Sequence, residues 1–110
     1  MNNYKELKLW QKSVDLAVSI YNLTATFPKE EIYGLTSQIN RRAVSVASNI
    51  AEGAGRNSKK DFNNFLGISA GSSCELDTQL FISSKVGFLD DNQLQTLQDE
   101  ISEIQKMNRH

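Results

Sequence analysis

The chain has 110 residues, of which 39% are hydrophobic and 23% charged, values typical of one globular domain spanning residues 1–110. The single cysteine excludes an intrachain disulfide and a multi-cysteine zinc site, and the lack of a long apolar run argues against a secretion signal or a membrane span. We therefore expect a cytoplasmic protein with no membrane association. Its net charge of −1 combines +4 in residues 1–60 with −5 in residues 61–110.

The spacing of apolar residues predicts the first two helices. Small or apolar residues recur every three or four positions from Leu9 to Phe27, and Pro28 then ends the first helix. The second helix is expected to begin near Gly34 to Thr36. Its predicted buried face comprises Leu35, Ile39, Ala43, Val46 and Ile50.

Two glycines and a serine mark the turn into a third helix. Gly53 and Gly55 are expected to end the second helix, because glycine readily adopts the left-handed conformation found at helix ends. Ser58 stands three residues before Asp61, a spacing that fits an N-cap and a capping box. We therefore start the third helix at Ser58.

The remaining sequence predicts two further helices. The core face of the third comprises Phe62, Phe65, Leu66, Ser69, Ser73, Leu76, Leu80 and Ser83. Its three serines indicate that a neighbouring backbone lies close. Asp90 or Asp91 can cap the fourth helix, whose face comprises Leu94, Leu97, Ile101 and Ile104. Four amphipathic helices joined by short loops predict an all-α fold, an antiparallel up-down-up-down four-helix bundle.

The first and third helices each carry a second apolar stripe outside the core face. A bundle of this size has too little protein to cover both stripes, so we predict a homo-oligomer. Its expected interface comprises Trp10, Val14, Val18 and Tyr21 on the first helix and Ile68, Ile82 and Val86 on the third.

The sequence offers little catalytic or metal chemistry. The segment GAGRNS lacks the third glycine and the preceding strand of a dinucleotide fingerprint, and no histidine precedes His110 to build a di-iron site. Cys74 is interpreted as a small packed side chain rather than a nucleophile. Glu52 and Glu75 are interpreted as hydrogen-bonding with nearby amides or arginines rather than as an acid–base pair. We predict that the protein is not an enzyme and uses no cofactor or metal.

The segment SNIAEGAGRNSKKDF, residues 48–62, is the strongest candidate binding site. The third helix begins here with free backbone N–H groups and the positive end of its dipole, and Arg56, Lys59 and Lys60 stand around it. These features suit an anion site. The alternative is an ordinary solvated corner between two helices.

Most of the chain, from LWQKSVDL to GSSCELDTQL, carries a family resemblance. The distinctive pieces are FPKEEIYGLTSQI, then NIAEG with GR shortly after it, and GSSCELDTQL. In order and spacing they resemble the four-helix-bundle proteins encoded in bacterial 23S ribosomal RNA intervening sequences, which are related to the accessory variability determinant of diversity-generating retroelements. The resemblance implies a ring-like homopentamer without enzymatic activity. In the retroelement relatives it implies a basic surface that binds nucleic acid and a partner reverse transcriptase.

Two functions follow from these patterns and from the resemblance. The leading hypothesis is a non-enzymatic homo-oligomer that contacts RNA or DNA, alone or with a protein partner, as a reverse-transcriptase accessory does. Its nucleic-acid-binding residues would be Arg41, Arg42, Arg56, Lys59 and Lys60. The alternative is a structural protein–protein interaction module in which Arg41 and Arg42 pair with acids such as Glu75, of the same or another subunit, and are unavailable to phosphate.

Overall fold

Four α-helices pack against one another in the computed structural model, which describes residues 3–109. They are α1 (Lys8–Thr24), α2 (Leu35–Ala54), α3 (Lys59–Lys85) and α4 (Asp91–Met107). Short 3-10 turns lie at Tyr4–Glu6 and Lys29–Glu31, and the described residues contain no strand. The predicted all-α four-helix fold is confirmed. None of the helices in residues 3–109 combines the length and apolar character needed to cross a lipid bilayer.

Neighbouring helices run in opposite directions. Hydrogen bonds between α2 and α3 join Gln38 to Gln79 (3.3 Å) and Ser45 to Ser72 (2.8 Å). Those between α3 and α4 join Asp77 to Gln98 and Leu66 to Asn108. In both pairs the residue number rises along one helix as it falls along the other, which is the antiparallel order that short connections impose.

The core consists of the faces that the apolar spacing predicts. Fully buried side chains come from all four helices and include Leu16, Ile20, Ile39, Val46, Ile50, Leu76, Leu80, Ile101 and Ile104. Each contributes about 1.5–3 kcal/mol relative to an exposed position. Ser69 is also fully buried, and its hydroxyl donates to the Val46 carbonyl of α2 (2.8 Å). This bond confirms the expected close approach of a neighbouring backbone at Ser69, whereas Ser73 and Ser83 bond to carbonyls of α3 itself.

The first helix ends earlier than the apolar spacing predicts, at Thr24 rather than Phe27. Pro28 restricts its predecessor to extended conformations. The Thr26 hydroxyl donates to the Leu23 carbonyl (2.7 Å) and satisfies a carbonyl at the helix end. Phe27 is nevertheless buried, because its ring packs on Phe88 at a centroid distance of 5.3 Å. Apolar spacing therefore continued past the helix end into a buried turn.

The glycines at the end of α2 act through close packing rather than through left-handed backbone. Gly53 lies inside the helix and Gly55 follows it at φ −80°, so neither has the expected conformation. A Cβ on Gly53 would lie 2.7 Å from the Cβ of Phe65 and 2.9 Å from Cδ1 of Phe62. Gly53 thus permits α3 to cross close to α2. The left-handed glycine is Gly87, at φ 89° after α3.

Side-chain caps begin α3 and α4. The Ser58 hydroxyl accepts from the Asp61 N–H (3.1 Å), which confirms the predicted N-cap and the start of α3. The reciprocal bonds of a full capping box form at α4 instead. There, the Asp90 carboxylate accepts from the Gln93 N–H (2.8 Å) while the Gln93 side chain accepts from the Asp90 N–H (2.9 Å).

Candidate nucleic-acid interface and assembly surfaces

The turn between α2 and α3 presents the predicted basic corner, Arg56, Lys59 and Lys60, on the surface. Arg56 is already engaged: its Nη2 lies 2.8 Å from Oε2 of Glu52, and its guanidinium lies 4.8 Å from the centre of the Phe65 ring. Within residues 3–109, Lys59 and Lys60 form no ion pair. The corner therefore offers two free ammonium groups beside a positioned guanidinium.

The two arginines of α2 point in different directions, because successive helix residues are about 100° apart. Arg42 faces α3, where its Nη1 lies 3.7 Å from Oε1 of Glu75. Arg41 is exposed and forms no ion pair in the described part of the chain. At about 1.5 Å per residue, both lie roughly 20 Å along α2 from Arg56. The fold therefore does not join them to the basic corner.

An apolar groove of about 550 Å³ separates the outer edges of α1 and α2. Its walls include the predicted interface residues Trp10, Val14, Val18 and Tyr21. The Trp10 ring packs edge-on against Tyr4 at 5.3 Å, which partly covers it, whereas Val18 and Tyr21 are 55% and 50% exposed. The groove is a preformed apolar surface that residues 3–109 leave open.

The second predicted apolar stripe lies on the outer side of α3. Ile68, Ile82 and Val86 are 51%, 47% and 55% exposed, so the core does not use them. Ile82 lies 14 residues, about four helical turns, after Ile68, and Val86 lies four residues further on, so the three share one helix edge. The stripe and the groove are two different apolar surfaces of the same chain.

A charged cluster lines the seam between α1 and α4. Lys12 Nζ lies 2.8 Å from Oε1 of Glu103, and this hydrogen bond raises the pKa of the lysine. Burial raises the pKa of the Glu100 carboxyl, and the nearby Asp15 and Glu103 raise it further. Oε2 of Glu100 is buried without a hydrogen-bond partner. This seam is acidic and unsuited to phosphate.

The described residues offer limited reactive chemistry. Cys74 is exposed, so its interpretation as a packed side chain is wrong; it lies 3.7 Å from Nε2 of Gln105. Glu52 and Glu75 each pair with an arginine, as the simpler interpretation of these acids proposed. Across residues 3–109, no three His, Cys, Asp or Glu side chains are grouped to hold a metal ion.

Several exposed apolar residues lie outside the two predicted stripes. Val44 of α2 is 42% exposed and lines the groove together with Ala47 and Ala51 of the same helix. Their spacing of three and four residues is a helical period that identifies this wall. Tyr33, in the turn before α2, is 97% exposed, and no periodic pattern marks it.

Comparison with known proteins places this bundle in a family. A crystal structure described as a protein with unknown function from the S23 ribosomal protein family, from Bacteroides thetaiotaomicron, matches with a TM-score of 0.81 and 24% identity, over 91% of this chain and 94% of that one. At this identity the likeness shows a shared fold. No curated protein matches the sequence. A family model described as 23S rRNA-intervening sequence protein matches residues 5–110, and the chain therefore belongs to the family of 23S rRNA-intervening sequence proteins.

Proposed function

We propose that this protein is a non-enzymatic module that assembles with copies of itself and binds nucleic acid through the phosphate backbone. The observation that carries the proposal is the pair of uncovered apolar surfaces, the groove between α1 and α2 and the stripe on α3. Exposed apolar surface of this kind marks interaction sites in globular proteins. The family resemblance points to a second copy as the occupant.

The shapes of the two surfaces favour a head-to-tail contact. The groove is concave, and the stripe runs along a helix edge that can enter such a groove. A contact between two different surfaces repeats from copy to copy and forms a ring when the rotation closes. This geometry agrees with the homopentamer that the resemblance implies.

The basic corner is the part of the assembly proposed to hold phosphate. Lys59 and Lys60 are exposed, and the first N–H groups of α3 lie beside them. One such corner binds phosphate weakly, but a ring repeats it in every subunit and raises the effective affinity. Contacts of this kind are insensitive to base sequence, because phosphate contacts carry no sequence information.

A second candidate function is a structural module that assembles without nucleic acid. The observation in its favour is that Arg42 pairs with Glu75 and Arg56 pairs with Glu52. A paired guanidinium is less available to phosphate. The partner of such a module would be a protein, and the same apolar surfaces would hold it.

Sedimentation of the full chain at micromolar concentration tests the assembly. We expect a multimer for the unmutated protein and a monomer of unchanged helicity for Val18→Glu combined with Ile82→Glu. These positions are about half exposed, so the acids are tolerated in a monomer but not in an interface. Tyr33→Glu is the control, since Tyr33 lies outside the groove and the stripe. An unmutated protein that sediments as a monomer would contradict the proposal.

Fluorescence titration with short labelled RNA and DNA at two salt concentrations tests nucleic-acid binding. Affinity of the unmutated protein should fall steeply with salt, because binding to phosphates releases counterions. Changing Arg56, Lys59 and Lys60 together to Ala should weaken binding and flatten the salt dependence. Lys59→Ala with Lys60→Ala is a milder variant that keeps the contacts of Arg56. If the unmutated protein assembles but binds neither probe, the structural module is the correct function.

A further inference from the structure

Cationic residues from distant parts of the chain meet at one end of the bundle. Because neighbouring helices are antiparallel, the starts of α1 and α3 lie at the same end as the finishes of α2 and α4. The Asn108 side chain, after α4, donates to the Leu66 carbonyl near the start of α3 (3.0 Å). Tyr4, before α1, lines the groove together with Ala51 near the finish of α2. These contacts bring all four segments together.

Four cations thereby join the basic corner: Lys5 and Lys8 at the start of α1, and Lys106 and Arg109 at the finish of α4. We call these four residues and the basic corner the basic end; its seven cations outnumber the three acids that the described residues place at the same end, which are Glu6, Glu52 and Asp61. All four are exposed, and within residues 3–109 none of them forms an ion pair. Cations without a carboxylate partner retain their donors for phosphate.

The opposite end of the bundle carries the reverse charge. Its turns and the start of α4 hold four acids, Glu30, Glu31, Asp90 and Asp91. Among residues 3–109, only two cations, Lys29 and Lys85, lie at the same end. The bundle is 43 Å long, and the Debye length at physiological salt is about 8 Å. The acidic end therefore leaves the potential of the basic end intact.

We propose that nucleic acid lies across the basic end of each subunit, with Lys5, Lys8, Lys106 and Arg109 among its phosphate contacts. This inference rests on the proposed nucleic-acid-binding function and names the surface that performs it. The cross-section of the bundle is 25 × 19 Å. A B-DNA duplex advances about 3.4 Å along its axis for each phosphate of one strand, so roughly seven phosphates of that strand fall within the longer edge.

The charge along the bundle also orients the nucleic acid on an assembly. In a ring whose bundle axes run parallel to the ring axis and point the same way, every basic end lies on one rim and every acidic end on the other. Nucleic acid is then held on one rim and repelled from the other. Arg41 and Arg42, about 20 Å away along α2, are not part of this surface.

Matched double variants of the full chain test the inference in the same titration, with short mixed-sequence duplex DNA and single-stranded RNA as probes. Lys8→Gln with Lys106→Gln removes two charges from the basic end, and Lys29→Gln with Lys85→Gln removes two from the other end. For each subunit that the DNA contacts, loss of two phosphate contacts lowers the slope of log affinity against log salt by about 1.8. Between about 50 and 200 mM salt, the unmutated protein should therefore lose roughly 12-fold more affinity per contacted subunit than the Lys8→Gln, Lys106→Gln variant. The control should keep the unmutated slope.

The outcomes separate this inference from the proposed function. The inference would be overturned, and the proposed function left in place, if the Lys8→Gln, Lys106→Gln variant bound like the unmutated protein while the triple Ala variant of Arg56, Lys59 and Lys60 lost binding. Equal losses in the two matched variants would show a net-charge effect and would also overturn it. An unmutated protein that binds neither probe would overturn both. Circular dichroism and sedimentation of each variant verify that fold and assembly are unchanged.

Discussion

Gly53→Ala should destabilise this protein even though alanine is the better helix former. The added Cβ would lie 2.7 Å from Cβ of Phe65 and 3.2 Å from the Phe62 carbonyl oxygen. Both atoms are fixed to the backbone of α3, so no side-chain rotation relieves the overlap. To reach the 3.4 Å at which ordinary contact begins, α3 must move away from α2 by about 0.7 Å.

The magnitude is a balance between this displacement and helix propensity. Overpacking a tight core costs about 1–3 kcal/mol, whereas Gly→Ala in a helix interior gains about 1 kcal/mol. Gly53 is the second-to-last residue of α2, where the gain is smaller. The net loss should be about 1–2 kcal/mol. Gly71, exposed in the middle of α3, has no atom within 4 Å of an added Cβ, so Gly71→Ala should gain up to about 1 kcal/mol.

Urea unfolding followed by circular dichroism measures both changes. All variants should be compared at one protein concentration, because self-association makes stability concentration-dependent. We expect the midpoint to fall for Gly53→Ala and to rise for Gly71→Ala, with the slope m unchanged. A midpoint for Gly53→Ala at or above that of the unmutated protein would refute the close-crossing explanation of Gly53.

Three further predictions concern the core, a cap and a carboxyl group. Leu76→Ala should cost about 2–5 kcal/mol in urea unfolding because Leu76 is fully buried, and a loss below about 0.5 kcal/mol would contradict its core position. Asp90→Ala should cost about 1 kcal/mol by removing the α4 cap, while the adjacent Asp91→Ala, which leaves that cap in place, serves as its control. The folded-state pKa of Glu100 is raised, so its ionisation opposes folding and lowers stability as pH rises through the range just above the ordinary carboxyl pKa. Glu100→Gln should therefore raise the urea midpoint at pH 7. At a pH well below the ordinary carboxyl pKa, where Glu100 is protonated in both states, the substitution should not raise the midpoint. An equal rise at the two pH values would contradict the raised pKa of Glu100.

Local pattern accounts for most of the fold. Helical period identified the four buried faces, and the Ser58 cap was predicted from one residue and its neighbours. The end of α1 was predicted three residues too late, at Phe27 instead of Thr24. Phe27 continues the apolar period because it is buried in the turn that follows the helix. The role of Gly53 was missed as well, because the close approach of Phe65 depends on how two helices cross.

Part of the candidate site could be predicted from sequence and part could not. Arg56, Lys59 and Lys60 are neighbours in sequence, so their proximity could be predicted before the fold was known. Lys5 and Lys106 are separated by most of the chain, and only the antiparallel packing of α1 and α4 places them at one end. Sequence alone determined the helices and the charges they carry, because period and capping act within a few residues. The tertiary structure decided which charges share a surface, because that depends on contacts between helices far apart in the chain.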